Sequence, residues 1–455
     1  MAFDTSIGKR LSNLRRQDRW WGYFYLVLLV IAALILFTVN LGSLPLDELQ
    51  EGTMVKIAQE IWQAPPNSWR WIFPTLSGNP EVFRPPLFPD LLAFTFNIGG
   101  VSPLTTRLPS ALLGAFSTVI LYGIGRELFR TTAPTLLACC VYVTFFPVIS
   151  QGRWGTLDAP LLCFEMFALW AILRSRRDLR WTLMTGFGFC LVGLTDNWSV
   201  LPLAVLIFLF LRWDTPRLLI CPYFYCGLIL GMMPLIAWWI AQWYFYEPII
   251  NLWANWQYGA FAISLQSKLS WEWLTNQSFN RYLSTFLHYF SPWFVVAFYG
   301  LRLAWHYRNW GWAKFLLVTG SVCLFFPLLA IANVIPLSEL AHPRWYVLPL
   351  YPILALAAGK QLHQLRNLPS YIGYPLTWVS VFNCFAILLI SLALYGKFVL
   401  KIDFDWLLLG IFGSVIMTLI ATSFLLARRD IQFIHVLIWG NYISLLLFFS
   451  FQYGI

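Results

Sequence analysis

Apolar runs of about 18 residues or more recur from the first 40 residues to the C-terminus, and only a bundle of membrane-crossing helices buries such a series. The runs fall near 20–41, 104–129, 132–150, 156–173, 181–195, 198–212, 217–246, 283–304, 313–335, 346–361, 373–396, 406–427 and 431–453. The chain has 455 residues, 59% hydrophobic and 11% charged, too little charge to cover a surface facing water. The expected fold class is therefore an all-α polytopic membrane protein of about thirteen transmembrane helices.

The net charge of +10 does not point to nucleic acid, because Lys and Arg sit in short connectors and form no patch. Counted from a cytoplasmic N-terminus, inner connectors hold about twice as many of them as outer ones, as the positive-inside rule requires. Lys9, Arg10, Arg15, Arg16 and Arg19 before the first run read as an uncleaved signal anchor. The acids do the reverse. Asp47, Glu48, Glu51, Glu60, Glu81, Asp90, Asp158, Asp196, Glu247, Glu272 and Glu339 all fall on the outer side, so the chemistry is expected there. The eight cysteines lie inside apolar runs without metal-ligand spacing and read as small core residues.

Two outer connectors are long, 42–103 and 247–282. A long connector without a task is uncommon, and the first is rich in Trp and Pro, with an acidic pair near its start. Met54, Ile57, Ala58, Ile61 and Trp62 give it a helical stripe, so an amphipathic helix is expected over Asp47–Trp62, with Asp47 near the N-cap. Asn251–Trp273 reads as a segment lying in the interface plane. The chain is expected to form one integral membrane domain, with a catalytic core over 20–360 and further membrane helices over 361–455.

Several residues have the chemistry for a transfer reaction. Asp47 or Glu48 can act as a general base, and Asp47 is the choice because adjacent acids at a helix start point apart. Arg84, before Pro85-Pro86, offers a fixed guanidinium fork to a phosphate. Arg153 and Asp158 flank the fourth run; Asp158 suits either a catalytic role or a helix cap. Asp196 and the intramembrane acid Glu165 are further candidates. Near the tenth run, His342, Arg344 and Tyr346 precede Pro349 and Pro352, which interrupt the helix. Arg344 and Tyr346, with Arg84 and Arg153, are expected at a donor phosphate. A divalent metal is left open, with Glu81 and His342 as candidate ligands.

Taken in order, Asp47-Glu48, Arg84-Pro85-Pro86-Leu87, Arg107-Leu108-Pro109-Ser110-Ala111-Leu112-Leu113-Gly114, Arg153 with Asp158, and Tyr346-Val347-Leu348-Pro349-Leu350-Tyr351-Pro352 form a series. It resembles the GT-C-fold, lipid-phosphate-dependent glycosyltransferases, the group of the aminoarabinose transferases and protein O-mannosyltransferases. The resemblance covers most of 20–360. It implies a polyprenyl-phosphate sugar such as an undecaprenyl phosphate derivative as donor. It further implies inverting transfer to a lipid, glycan or protein acceptor on the outer face of the plasma membrane, Asp47 as base and Arg84 at the lipid phosphate. Two departures stand out: Phe83 replaces an acid common before the basic residue, and Trp345 stands where Arg is common. The alternative reading is a secondary transporter or lipid flippase, which predicts two similar halves with paired broken helices. No such repeat is visible.

Overall fold

A computed structural model of the chain describes residues 2–48, 51–65, 67–80, 84–245, 292–331, 348–367, 376–398 and 406–451. The expected interfacial segment Asn251–Trp273 lies outside these residues, as do Glu81, His342, Arg344 and Tyr346.

The described chain is helical apart from one short hairpin. In order come α1 (Ala2–Thr38), α2 (Gly52–Trp62), strands β1 (Thr75–Leu76) and β2 (Asn79–Pro80), α3 (Leu87–Gly99) and α4 (Pro103–Phe129). Then follow α5 (Thr132–Val143), α6 (Phe146–Gly152), α7 (Asp158–Ser175), α8 (Trp181–Thr195), α9 (Val200–Asp214), α10 (Pro216–Ile220) and α11 (Pro222–Phe245). The later helices are Trp293–His306, Gly311–Ile331, Leu350–Arg366, Leu376–Phe398, Trp406–Ala427 and Phe433–Ser450. A helix lies on every apolar run. Among the described residues six helices are long and apolar enough to cross a membrane alone: Trp20–Thr38, Pro103–Phe129, Pro222–Phe245, Thr377–Tyr395, Leu409–Ala427 and Phe433–Ser450. The third run is broken instead of straight: α5 and α6 meet at 60° and count as a seventh span if taken together.

The core joins α1, α4, α5, α7, α9 and the helices Trp293–His306, Gly311–Ile331 and Leu350–Arg366. Small residues set its closest approaches, as helix packing in lipid demands. Phe37 fills the notch left by Gly114 of α4 and Gly152 of α6. Gly227 and Gly231 of α11 stand four apart, and α8 crosses there so tightly that a Cβ at Gly231 would fall on the Leu183 carbonyl. A Cβ at Gly186 would meet the Leu228 carbonyl in the same way.

The connector 42–103 is built rather than loose. Val55 and Ala58 of α2 pack on Phe88, Leu92 and Phe96 of α3, a small core of their own. Trp62 Nε1 donates to Asn97 Oδ1 at 3.0 Å, and Trp238 Nε1 of α11 donates to the Ile72 carbonyl at 2.9 Å. Between the helices, Ser77 (φ 54°) and Gly78 (φ 79°) turn the hairpin, in which Thr75 faces Pro80 and Leu76 faces Asn79. Two consecutive left-handed residues suit a two-residue hairpin turn. Helix α2 begins five residues later than the expected start at Asp47, and α3 is a second helix of the connector, whose position the residue pattern did not mark. Its start follows Pro85-Pro86, whose fixed φ favours a helix opening, and Gly100 (φ 66°) ends it. Ser102 and Thr105 then cap α4 reciprocally, with Ser102 Oγ accepting from Thr105 N–H at 3.2 Å and Thr105 Oγ1 from Ser102 N–H at 3.0 Å.

Leucine at Gly231 is expected to break the α8–α11 crossing, since backbone collision costs at least the ~1–3 kcal/mol of ordinary overpacking. Size-exclusion chromatography in detergent should show loss of the monodisperse peak for Gly231→Leu. The same substitution at Gly410, around which there is open space, should leave the profile unchanged.

Candidate functional site

The site is organised by Arg107, on the second turn of α4 and 3% exposed. Its guanidinium has five N–H donors, and every one is used. Nε donates to Glu51 Oε1 at 2.8 Å and Nη2 to Glu51 Oε2 at 2.8 Å, a two-pronged pair with a carboxylate that is wholly buried. Nη2 also donates to the Pro45 carbonyl at 2.8 Å, and Nη1 to those of Leu41 at 3.2 Å and Leu44 at 3.0 Å. The Trp154 ring lies 5.4 Å from the guanidinium carbon.

Glu51 extends the grip to two other segments. Its Oε2 accepts the Asp47 N–H at 3.1 Å, and its Oε1 the Gly155 N–H at 2.7 Å. One buried carboxylate thus stands between the turn that carries Asp47-Glu48 and the 153–158 segment that carries Asp158. Gly155 makes this possible: a Cβ there would sit 2.7 Å from Thr106 Cγ2 and 3.1 Å from Glu51 Oε1. Asp47 is half-buried and Glu48 exposed; the Asp47 carbonyl accepts from the N–H groups of Glu51 (2.8 Å) and Gly52 (3.1 Å) as the chain turns into α2. Asp158 opens α7, where its Oδ2 accepts from Thr156 Oγ1 at 3.1 Å, and Ser110 of α4 holds the Thr156 carbonyl at 2.8 Å.

Arg84 is half-buried, and its Nη1 lies 4.0 Å from Met54 Sδ on the first turn of α2. The candidates Asp47, Arg84 and Asp158 are therefore all carried by segments fastened around α2 and the start of α4. Arg153 is turned into the bundle: Nη1 donates to the carbonyls of Leu36 (2.9 Å) and Phe37 (3.3 Å), and the guanidinium lies 4.5 Å from the Phe449 ring. Asp196 ends α8 and holds the residue before α9, its Oδ2 accepting from Ser199 N–H (3.1 Å) and Oγ (2.6 Å). Glu165 lies deeper on α7, apart from this cluster, and lines a cavity with Thr319. Among the described residues no three His, Cys, Asp or Glu side chains form a metal-holding group.

Three acids of the connector have roles that the residue pattern did not reveal. Glu51 stood among the outer acids, yet its partner lies 56 residues away and no local spacing announces the pair. Burial pushes the Glu60 carboxyl up, but hydrogen bonds from Thr75 Oγ1 and the Ser77 and Gly78 amides, with nearby Arg70, prevail and hold it below its usual range. Those bonds fasten the hairpin to α2. Asp90 is the opposite case: burial pushes its carboxyl up to about 8, and its Oδ1 is buried without a hydrogen-bond partner among the described residues.

Residues 83–240 match the family described as dolichyl-phosphate-mannose-protein mannosyltransferase. The chain is 29% identical over 124 residues to the polyprenol-phosphate-mannose–protein mannosyltransferase of Corynebacterium glutamicum, covering 25% of this chain and 24% of that one. It is 27% identical over 164 residues to the undecaprenyl phosphate-alpha-4-amino-4-deoxy-L-arabinose arabinosyl transferase of Pseudomonas aeruginosa, covering 34% and 27%. The matched stretches span under half the length of such curated relatives. In structure the chain is similar to ArnT from Cupriavidus metallidurans bound to undecaprenyl phosphate, with a TM-score of 0.69, 17% identity, and coverage of 93% of this chain and 76% of that one. The chain is thus a multi-pass membrane protein with the GT-C fold, and the resemblance read from its motifs extends to its architecture.

Two predictions follow from the burial of these groups. Glu51→Ala and Arg107→Ala each strand a buried charge and should cost about 3–5 kcal/mol, read as a large fall in thermal midpoint. Glu51→Leu combined with Arg107→Leu should recover part of it, because no charge is left unpaired. For Asp90 the folded-state value lies above the unfolded one, so the native protein holds the extra proton and stability falls as pH rises from about 4 through about 8. Asp90→Asn should therefore raise the thermal midpoint over wild type at pH 9, with the gap closing at pH 5.

Proposed function

We propose that the chain is a membrane glycosyltransferase that moves a sugar from a polyprenyl-phosphate donor to a lipid, glycan or protein acceptor on the extracytoplasmic face. The observation that carries this reading is the shared buried carboxylate of Glu51, which ties the Asp47 turn to the Gly155–Asp158 segment. Two outer carboxylates are thereby held on one rigid frame, and Arg84 reaches the same frame through Met54. Similarity to enzymes whose names specify polyprenol-phosphate and undecaprenyl-phosphate sugars supplies the donor class.

In the proposed reaction, Asp47 takes the proton of an acceptor hydroxyl or amine as that atom attacks the anomeric carbon. The bond from that carbon to the phosphate oxygen breaks, and polyprenyl phosphate leaves. A single displacement inverts the anomeric centre. Negative charge grows on the leaving phosphate, and Arg84, with Arg344 and Tyr346, stabilises it by charge-assisted hydrogen bonds. Arg153 supports the site from within the bundle through its bonds to the end of α1. Asp158 orients the acceptor from the other side of the frame. Desolvation in the membrane strengthens each of these interactions.

The test is donor consumption. Purified wild type, Asp47→Asn and Arg84→Ala are each incubated with a panel of radiolabelled polyprenyl-phosphate sugars and a membrane extract. Loss of a general base should lower kcat by ~10²-fold or more. Loss of the phosphate contact should lower kcat/KM by about tenfold to a hundredfold, the worth of a hydrogen bond to a charged group. Folded wild type that consumes no donor, while moving lipid across proteoliposomes, would put the transporter reading first.

A further inference from the structure

Glu165 is an acid singled out in the sequence that the transfer chemistry leaves unused, and unlike Asp196 it has no hydrogen bond to a described residue. It lines a cavity of about 70 Å³ enclosed by α4, α7, α9 and the helices Gly311–Ile331 and Leu350–Arg366. The walls are almost wholly apolar, with Leu162, Leu206, Phe315 and Pro352 typical of them. The cavity's direction follows from α7. Asp158, Leu162, Glu165 and Leu169 stand at helical spacings of 4, 7 and 11 residues, so they share one face. Asp158, at the outer end, lies one turn above the lining residues, and Glu165 is roughly 10 Å below it along the helix axis. Beside α9 the lining begins at Trp198 and Ser199, just before the helix, and continues through Pro202 and Leu203 to Leu206, roughly 6 Å along the helix axis from Pro202. This is a narrow apolar slot that runs inward from beneath the candidate site.

Two polar groups in the slot have no partner among the described residues. Thr319 is 1% exposed, and its Oγ1 makes no hydrogen bond among the described residues, even though a helical threonine ordinarily bonds back to its own helix. Glu165 likewise has neither a hydrogen bond nor an ion pair with a described residue. The nearest acid, Asp196, is already engaged by Ser199, and the Cys323 thiol is its other close ionisable neighbour. A slot meant only for hydrocarbon gains nothing from a half-buried carboxyl and a fully buried hydroxyl that lacks a partner among the described residues. An alcohol complements both kinds of group: an O–H suits the Glu165 carboxyl as acceptor, and a hydroxyl oxygen suits Thr319 Oγ1 as donor.

We infer that this slot binds an apolar chain that carries a hydroxyl group, recognised by Glu165 and Thr319. Its assignment to the acceptor of the transfer reaction rests on the glycosyltransferase reading; the binding itself does not. The hydroxyl could terminate the chain or stand partway along it, and the two sources are separated by the choice of probe.

The experiment uses the full chain purified in one fixed detergent, with 1-dodecanol, 6-dodecanol or dodecane at equal mole fractions in the micelle, and thermal midpoint as the readout. No turnover is required, so a failure here is distinct from a failure to consume donor. A dodecanol should raise the wild-type midpoint at a mole fraction at least tenfold below that needed by dodecane, as expected of a site built to bond a hydroxyl. Preference for 1-dodecanol indicates a terminal alcohol, and preference for 6-dodecanol a hydroxyl within the chain. Glu165→Leu and Thr319→Val should erase the discrimination, while Glu165→Gln, which still accepts a hydrogen bond, should keep part of it. Equal response to dodecane, a preference that survives both erasing variants, or no shift with any probe would overturn the proposal.

Discussion

The contact between Arg107 and Glu51 is the one on which the outer part of this protein depends. Neither charge has access to water, so each is tolerable only because the other is there. Two of the five guanidinium donors meet the carboxylate, and the other three meet main-chain carbonyls just beyond α1, where the long connector begins. The carboxylate then spends its remaining capacity on the amides of Asp47 and Gly155. A buried pair of this kind contributes little net stability over an apolar substitute. Its return is geometric. Three chain segments that are far apart in sequence are held to the positions of a single ion pair.

The same logic separates the two kinds of acid in the connector. Glu51 and Glu60 are surrounded by donors, so they are structural anions: one fastens the connector to the bundle and the other fastens the hairpin to α2. Asp90 lacks that shell, and burial alone governs its proton. Asp47, half-buried at the turn before α2, is anchored through its backbone amide and carbonyl.

Much of the architecture was legible in the residue pattern, because lipid imposes a coarse and severe rule. Each apolar run holds a helix, and the Pro pair and the Arg107 motif fall at boundaries that matter. What was missed has a common cause. Helix α3 is short, and its apolar content merges with the connector; only Pro85-Pro86 before it and Gly100 after it mark its limits. The hairpin depends on Ser77 and Gly78 adopting left-handed backbone, and on a glutamate from another element. The bend between α5 and α6 interrupts a run that hydropathy alone reads as continuous. For the site, Asp47, Arg84 and Asp158 were identified as chemically suited, and the fold carries them on linked segments. Glu51 stood only as one of the outer acids, because a pairing across 56 residues leaves no periodic trace, and Arg153 looks alike in sequence whether it faces a ligand or the carbonyls of Leu36 and Phe37.

Arg107 grips Leu41, Leu44 and Pro45 by their peptide oxygens, and an oxygen of the main chain is the same whatever side chain accompanies it. The anchor is therefore indifferent to the identity of the residues it holds. Side chains along this stretch are free to diverge among descendants of the chain, reshaping the wall beside Asp47, while the backbone they hang from stays registered to the bundle. Fidelity of position and latitude of composition, usually opposed in a protein, are here assigned to different atoms of the same residues.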